Sequence, residues 1–172
     1  MNRLNILTFP DPRLRKKAAA IDVFDQKLKD KAADMLFTMY DDKGIGLAAT
    51  QVDFHHRLIV VDVSENQDDP LYLVNPSFVV LDETLDGYKE GCLSIPEHFA
   101  EIKRPTSVQV RWLDRNGNEQ EQEFDGLWST CVQHEIDHLN GKLFIDYLGT
   151  IKRQLITRKM QKFKREMERK ET

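Results

Sequence analysis

The chain has 172 residues, 40% hydrophobic and 31% charged, with a net charge of −4. That composition suits one soluble globular domain with a core large enough to need no staples. It contains no run of about 18 apolar residues, which excludes a membrane-spanning helix, and its acidic balance gives no reason to expect DNA. The first apolar stretch, in "MNRLNILTFPDPRLRKK", is too short for a signal peptide and is cut by Pro10 and Pro12, so the expected location is the cytoplasm. "FDQKLKDKAADMLFTMYDDKG" predicts a helix, with Leu28, Ala32, Met35 and Met39 on one face and Gly44 as a left-handed cap. "GIGLAATQ" is too small and glycine-rich for an ordinary strand, and its glycines allow another backbone to come close. "RLIVVDVS" reads as a strand. "LYLVNPSFVVLD" reads as one or two more, with Pro76 marking a break or an edge. "EGCLSIPE" reads as an irregular turn, and Asn116-Gly117 sits between alternating residues as the turn of a hairpin. A helix from about Leu127 to Asn140 follows, closed by Gly141. The last segment predicts a basic amphipathic helix with Ile151, Leu155, Phe163 and Met167 near one face. The expected fold is α+β: a central helix flanked by short, mostly antiparallel β-sheets, with a C-terminal helix.

Charge is unevenly spread. Residues 151–172 hold nine Lys+Arg against three Asp+Glu, a charge of +6, while the remainder has 16 basic and 26 acidic residues, or −10. A mildly acidic body carries a basic tail.

The chemistry concentrates in "VQHEIDHLNGKLFID". On a helix His134 and His138 share a face, so both imidazoles can hold one ion. Glu135 is turned about 100° away and can act on a water beside that ion without being a ligand. This is the H-E-x-x-H arrangement: two ligands and a general base within five residues. A catalytic metal site needs a third protein ligand. Cys92, Cys131, His55, His56, His98 and many carboxylates are candidates. Cys131 is disfavoured, because a helix rises about 10.5 Å from position 131 to position 138 and ligands strung along it cannot close on one ion. Cys92 lies in a tight polar turn that makes poor core material, and His55 and His56 sit in a polar loop.

Three separated stretches, "GIGLAATQ" (44–51), "EGCLS" (90–94) and "QHEIDHLNG" (133–141), resemble the signature motifs of the peptide deformylases, in order and at similar spacing. The resemblance implies a catalytic domain over residues 1–148 and a basic helix over 149–172. It implies one divalent metal ion held by Cys92, His134 and His138, natively iron(II), with zinc, nickel or cobalt as substitutes. The implied reaction removes the formyl group from the N-terminal methionine of nascent polypeptides and releases formate. Glu135 would handle protons, and Gln51 and the Leu93 backbone N–H would face the developing oxyanion. The peptide would add as a strand along Ile45-Gly46 and the turn before Cys92 at Gly91. The methionine pocket would be lined by Ile45, Tyr88, Leu127, Thr130, Cys131 and His134. Glu90 would pair with Arg104 and steady the Cys92 turn. The basic tail resembles helices that dock on the ribosome. Two departures stand out: Phe99 where many relatives carry arginine, and Tyr88 and Thr130 where they often carry aliphatic residues.

Two rivals remain open on sequence. An H-E-x-x-H metallopeptidase would use the same ion and base on an internal amide. A ribosome- or RNA-associated module with a structural metal would explain the basic tail but not Glu135.

Overall fold

The structure, a computed structural model, describes residues 1–170. The expected α+β arrangement with a C-terminal helix is what the chain adopts. Five strands form one antiparallel sheet in sequential order: β1 (Gly46–Ala48), β2 (Leu58–Val61), β3 (Leu71–Cys92), β4 (Ile95–Leu113) and β5 (Glu119–Asp125). Three α-helices accompany it: α1 (Gln26–Asp41), α2 (Gly126–Leu139) and α3 (Thr150–Lys170). No helix among the described residues is long and apolar enough to cross a membrane.

Strand β2 explains the layering. Its four residues are all fully buried. Ile59 and Val61 pack toward α2, with Val132, Ile136 and Leu139. Leu58 and Val60 pack toward α1, with Leu28, Ala32, Met35 and Met39. Alternate side chains leave opposite faces of a strand, so the unbroken apolar run "LIVV" marks a strand sandwiched between two helices. Those four α1 residues are the face expected from their spacing.

Two strands are much longer than the sequence suggests. β3 has 22 residues and β4 has 19. Pro76 does not break β3, because the register shifts between Val74 and Ser77, where Asn75 takes φ 50°. A bulge tolerates a residue that cannot donate to the ladder. Further shifts near Asp82 and Leu85 bend the strand. The stretch read as an irregular turn is a tight hairpin, Cys92 pairing with Ile95, with the irregularity carried by residues 96–98 of β4. The hairpin at Asn116-Gly117 joins β4 to β5 as expected, with Gly117 at φ 85°.

Three local readings change. After α1 the left-handed residue is Lys43, at φ 57°, and not Gly44. Gly44 lets Leu93 pack close: a Cβ there would lie 2.8 Å from Leu93 Cδ1, the movable end of that side chain. "GIGLAATQ" contains a short strand, β1, followed by a 3-10 turn at Ala49–Val52. The third change concerns α3. Ile151, Leu155 and Met167 are exposed, and the packed face is Ile156, Met160 and Phe163. Met160 is 1% exposed, against a cluster containing Ile95, Ile102 and Phe144.

Candidate metal centre

Helix α2 is buried along most of its length although six of its ten buried residues are polar or charged. It ends at Gly141, where φ is 75° and a Cβ would lie 2.4 Å from the Arg15 carbonyl oxygen, so only glycine fits. The helix carries His134 and His138 side by side, with their Nε2 atoms 3.2 Å apart. The β3–β4 turn brings Cys92 to them, its Sγ 3.3 Å from His138 Nε2. These three side chains offer ligand atoms all within 4.8 Å of one another. Bonds of about 2.0–2.3 Å to a tetrahedral ion put neighbouring ligand atoms roughly 3.3–3.6 Å apart. The donor set therefore fits one metal ion, with a soft thiolate and two imidazoles, and leaves a fourth position for water or substrate.

The other candidates for the third ligand are elsewhere. Cys131 donates to the Ile45 carbonyl at 3.5 Å, and burial pushes its thiol well up. His55 pairs with Asp53, and His56 packs near Phe54. His98 lies on the cavity wall outside the three-residue group.

A chain of charged groups holds the first histidine. His134 Nδ1 donates to Glu90 Oε1 at 2.9 Å, which leaves Nε2 as the free donor atom for a metal. Arg104 clamps Glu90 with two bonds, Nε to Oε2 at 2.7 Å and Nη2 to Oε1 at 3.0 Å. Its Nη1 donates to Asp137 at 2.9 Å, and Tyr147 donates its hydroxyl to the same carboxylate. Arg104 and Glu90 side chains are only 3% and 5% exposed. Burial opposes ionisation of Glu90, but His134 and Arg104 outweigh it and hold its pKa below the usual carboxylate value. Phe144 stacks on the His134 ring at 6.2 Å, and Thr50 donates to the His138 carbonyl. Burial drives the His138 pKa well down, so the ring stays neutral.

Glu135 stands beside this group and outside it. Its Oε1 is 3.9 Å from His134 Nε2, and its Oε2 is buried without a partner. Burial pushes its pKa up to about 7. Gly46 makes room for it: a Cβ there would lie 2.6 Å from Glu135 Oε1 and 2.9 Å from Cys131 Sγ. The glycine thus admits side chains from α2. Gln51 is fixed on both ends of its amide. Oε1 accepts from the Ala48 N–H at 2.9 Å, and Nε2 donates to Ser94 Oγ at 3.0 Å and to Cys92 Sγ at 3.4 Å.

The group opens into a cavity of about 640 Å³, a common size for a small-ligand site. Its walls include Ile45, Gly46, Tyr88, Gly91, Leu127, Thr130 and Cys131, together with Gln51, Leu93, His134 and Glu135. Sequence reasoning did not reach Ser94, Asp137, Tyr147 or Phe144. None carried a signal in the sequence: Asp137 and Tyr147 meet Arg104, and Ser94 meets Gln51, only through contacts between residues distant in the chain.

A family model described as "Polypeptide deformylase" matches residues 3–154. The chain is 51% identical to a peptide deformylase of Chromohalobacter salexigens, over 98% of this chain and 99% of the relative. It is 50% identical to one of Pseudomonas aeruginosa, over 92% and 95%. Among solved structures, a peptide deformylase from Legionella pneumophila superposes with TM-score 0.90 at 43% identity, covering 98% of this chain and 99% of that one. One from Ehrlichia chaffeensis in complex with actinonin gives 0.92 at 39% identity, over 96% and 99%. None of these supports the metallopeptidase rival. Matched in sequence along nearly its whole length and in fold around the Cys92–His134–His138 group, the chain belongs to the peptide deformylase family.

Proposed function

We propose that the family's reaction runs at Cys92, His134 and His138: hydrolysis of the formyl amide on the N-terminal methionine of nascent polypeptides, with release of formate. The observation that carries this reading is the convergence of three ligand atoms beside a buried carboxylate oxygen with no partner. A divalent ion held there would polarise the formyl oxygen and lower the pKa of a water toward neutrality. Iron(II) as the native ion rests on the family resemblance, because the ligand set also suits zinc, nickel and cobalt.

Glu135 takes the proton of the attacking water and delivers one to the departing amine. Water adds to the formyl carbon, the carbon–nitrogen bond breaks, and the amine leaves as the free N-terminus. Its partnerless Oε2 and its pKa near 7 suit a group that must both accept and give. Gln51 and the Leu93 N–H supply donors where negative charge grows on oxygen. Ser94 holds one Gln51 N–H, and the other, directed at Cys92 Sγ at 3.4 Å, is the one that would turn to the oxyanion.

The peptide lies as an added strand along Ile45-Gly46 and Gly91, so that backbone pairing accepts any downstream sequence. The methionine enters between Ile45, Tyr88, Leu127, Thr130 and Cys131, on the cavity wall next to His134. Residues 1–148 form the catalytic unit and residues 149–172 a basic extension. The exposed Lys and Arg of α3 dock on the ribosome, and the protein works in the cytoplasm, where nascent chains emerge.

The test is anaerobic purification followed by metal analysis and a formate-release assay on the same sample. A formyl-methionyl peptide should be hydrolysed and a blocked internal peptide left intact. A metal-loaded sample that cut the internal amide and released no formate would overturn the proposal.

A further inference from the structure

One wall of the cavity carries an aromatic ring that the reaction as described does not use. Phe99 is 60% exposed, although it lines the same cavity as Cys92, His134 and Glu135. Its register partner on β3 is Gly91, and paired residues share a face of the sheet. The ring lies across that glycine: a Cβ at position 91 would be 2.5 Å from Phe99 Cε1 and 2.7 Å from Cδ1. Any side chain there would push the ring away. Lys89, two residues earlier and therefore on the same face, holds its ammonium 5.3 Å from the ring centroid. Glu90, between them, points the other way into the Arg104 pair. The ring is thus seated on one side by bare backbone and flanked by a cation, with its remaining surface open to the cavity mouth.

An exposed phenylalanine on a surface needs no explanation by itself. This one adjoins the residue just before the Cys92 ligand, on the strand along which an extended peptide would run. We infer that the Phe99 ring, laid over Gly91 beside Lys89, is a specificity-determining shelf for a side chain just downstream of the formylmethionine. It selects apolar and above all aromatic side chains and disfavours basic ones. The inference rests on the deformylation reading. Stacking on the ring supplies the preference, and the Lys89 ammonium repels a lysine or arginine brought to the same place. Because an extended chain turns successive side chains to opposite sides, only one of the second and third peptide positions should feel the shelf.

The test uses the metal-loaded full-length protein and formate release from formyl-Met-Xaa-Ala and formyl-Met-Ala-Xaa peptides, Xaa being Phe, Ala, Lys or Glu. In the natural protein, kcat/KM for Phe over Ala should be raised roughly three- to tenfold at one position, mainly through KM. Phe99→Ala should bring that ratio to near one while formyl-Met-Ala-Ala still turns over. Lys89→Glu should reverse the order of the Lys and Glu peptides at that position. Both side chains are on the surface, and Phe99→Leu serves as a milder variant that should keep part of the preference. A Phe-to-Ala ratio unchanged by Phe99→Ala at both positions would overturn the inference. If no formyl peptide released formate from the natural protein, the functional reading itself would fall instead.

Discussion

Replacing Arg104 by methionine should unfold the protein far more readily than a surface substitution, and the structure sets the size of the effect. The guanidinium is buried and makes two bonds to Glu90, one to Asp137 and one to Tyr147, whose ring also lies 4.7 Å from it. Arg104→Met leaves the Glu90 carboxylate in the interior with only His134 Nδ1 as a partner. Removing one member of a buried ion pair costs about 3–5 kcal/mol, because the other charge stays buried and uncompensated. For a chain of this length each kcal/mol moves Tm by roughly 2–4 °C, so the fall should be about 6–20 °C. The double variant Glu90→Leu/Arg104→Met removes both charges and should be more stable than Arg104→Met alone. The two differ in function, though. Arg104→Met keeps the Glu90–His134 bond, while the double variant frees the imidazole and should lose metal affinity about 10–100-fold. Urea unfolding of metal-free protein separates the stability effect from the binding effect, which is read by metal titration. A loss below about 1 kcal/mol in Arg104→Met, or a double variant less stable than the single one, would show that these charges are solvated and refute the reasoning.

Glu135→Ala should retain the metal and lose nearly all turnover; metal lost in proportion to activity would make Glu135 a ligand. Cys92→Ser should weaken metal binding, while Cys131→Ser should leave metal content intact and alter stability or methionine binding, as metal analysis of both variants will show. Asp146 is linked to Arg15 at 2.6 Å and accepts from the Leu143 N–H. Burial opposes its ionisation, but Arg15 and that N–H outweigh it and lower its pKa. Its contribution is therefore present above the unfolded value of about 3.9 and fades as pH falls through the lower folded value. Asp146→Asn should cost about 1 kcal/mol at neutral pH and converge with the natural protein in acid, read by urea unfolding across pH. Deleting residues 151–172 should lower Tm, because Met160 is buried against the body. It should leave formyl-peptide kcat/KM of the folded protein nearly unchanged and abolish salt-sensitive ribosome sedimentation, and binding that survives the deletion would refute the docking role.

What could be read from sequence was local. The helix through His134 and His138 and the hairpin at Asn116-Gly117 depend on residues a few positions apart, and both are present. The α1 face was legible for the same reason. Strand length was not, since β3 survives Pro76 only by a bulge whose geometry involves β4. The α3 face was misread because the helix carries two sparse apolar stripes. Ile156, Met160 and Phe163, spaced four and three apart, win since the body presents Ile95, Ile102 and Phe144 to them. Nothing in the helix itself says which stripe has a partner. The Glu90–Arg104 pair came only from the family resemblance, and the other arms of the Arg104 network do not show for the same reason: Asp137 and Tyr147 lie 33 and 43 residues away in the chain.

The polar groups of α2 separate structure from chemistry. A polar atom buried without a partner is costly, so a buried polar helix must satisfy its side chains one by one. Ser129 and Gln133 do so on the Pro105 carbonyl, and Gln133 also donates to Ser129. His134 does so on Glu90, and Asp137 on Arg104 and Tyr147. What remains unpaired on this helix, among the described residues, is Glu135 Oε2 and His138 Nδ1. An apolar residue at position 135 would pack in the same place without that cost, and Gly46 would then have no carboxylate to make room for. Selection for stability alone gives no account of a carboxylate there. The proton transfer proposed for Glu135 beside Cys92, His134 and His138 would account for the carboxylate, the glycine facing it and the partnerless oxygen together.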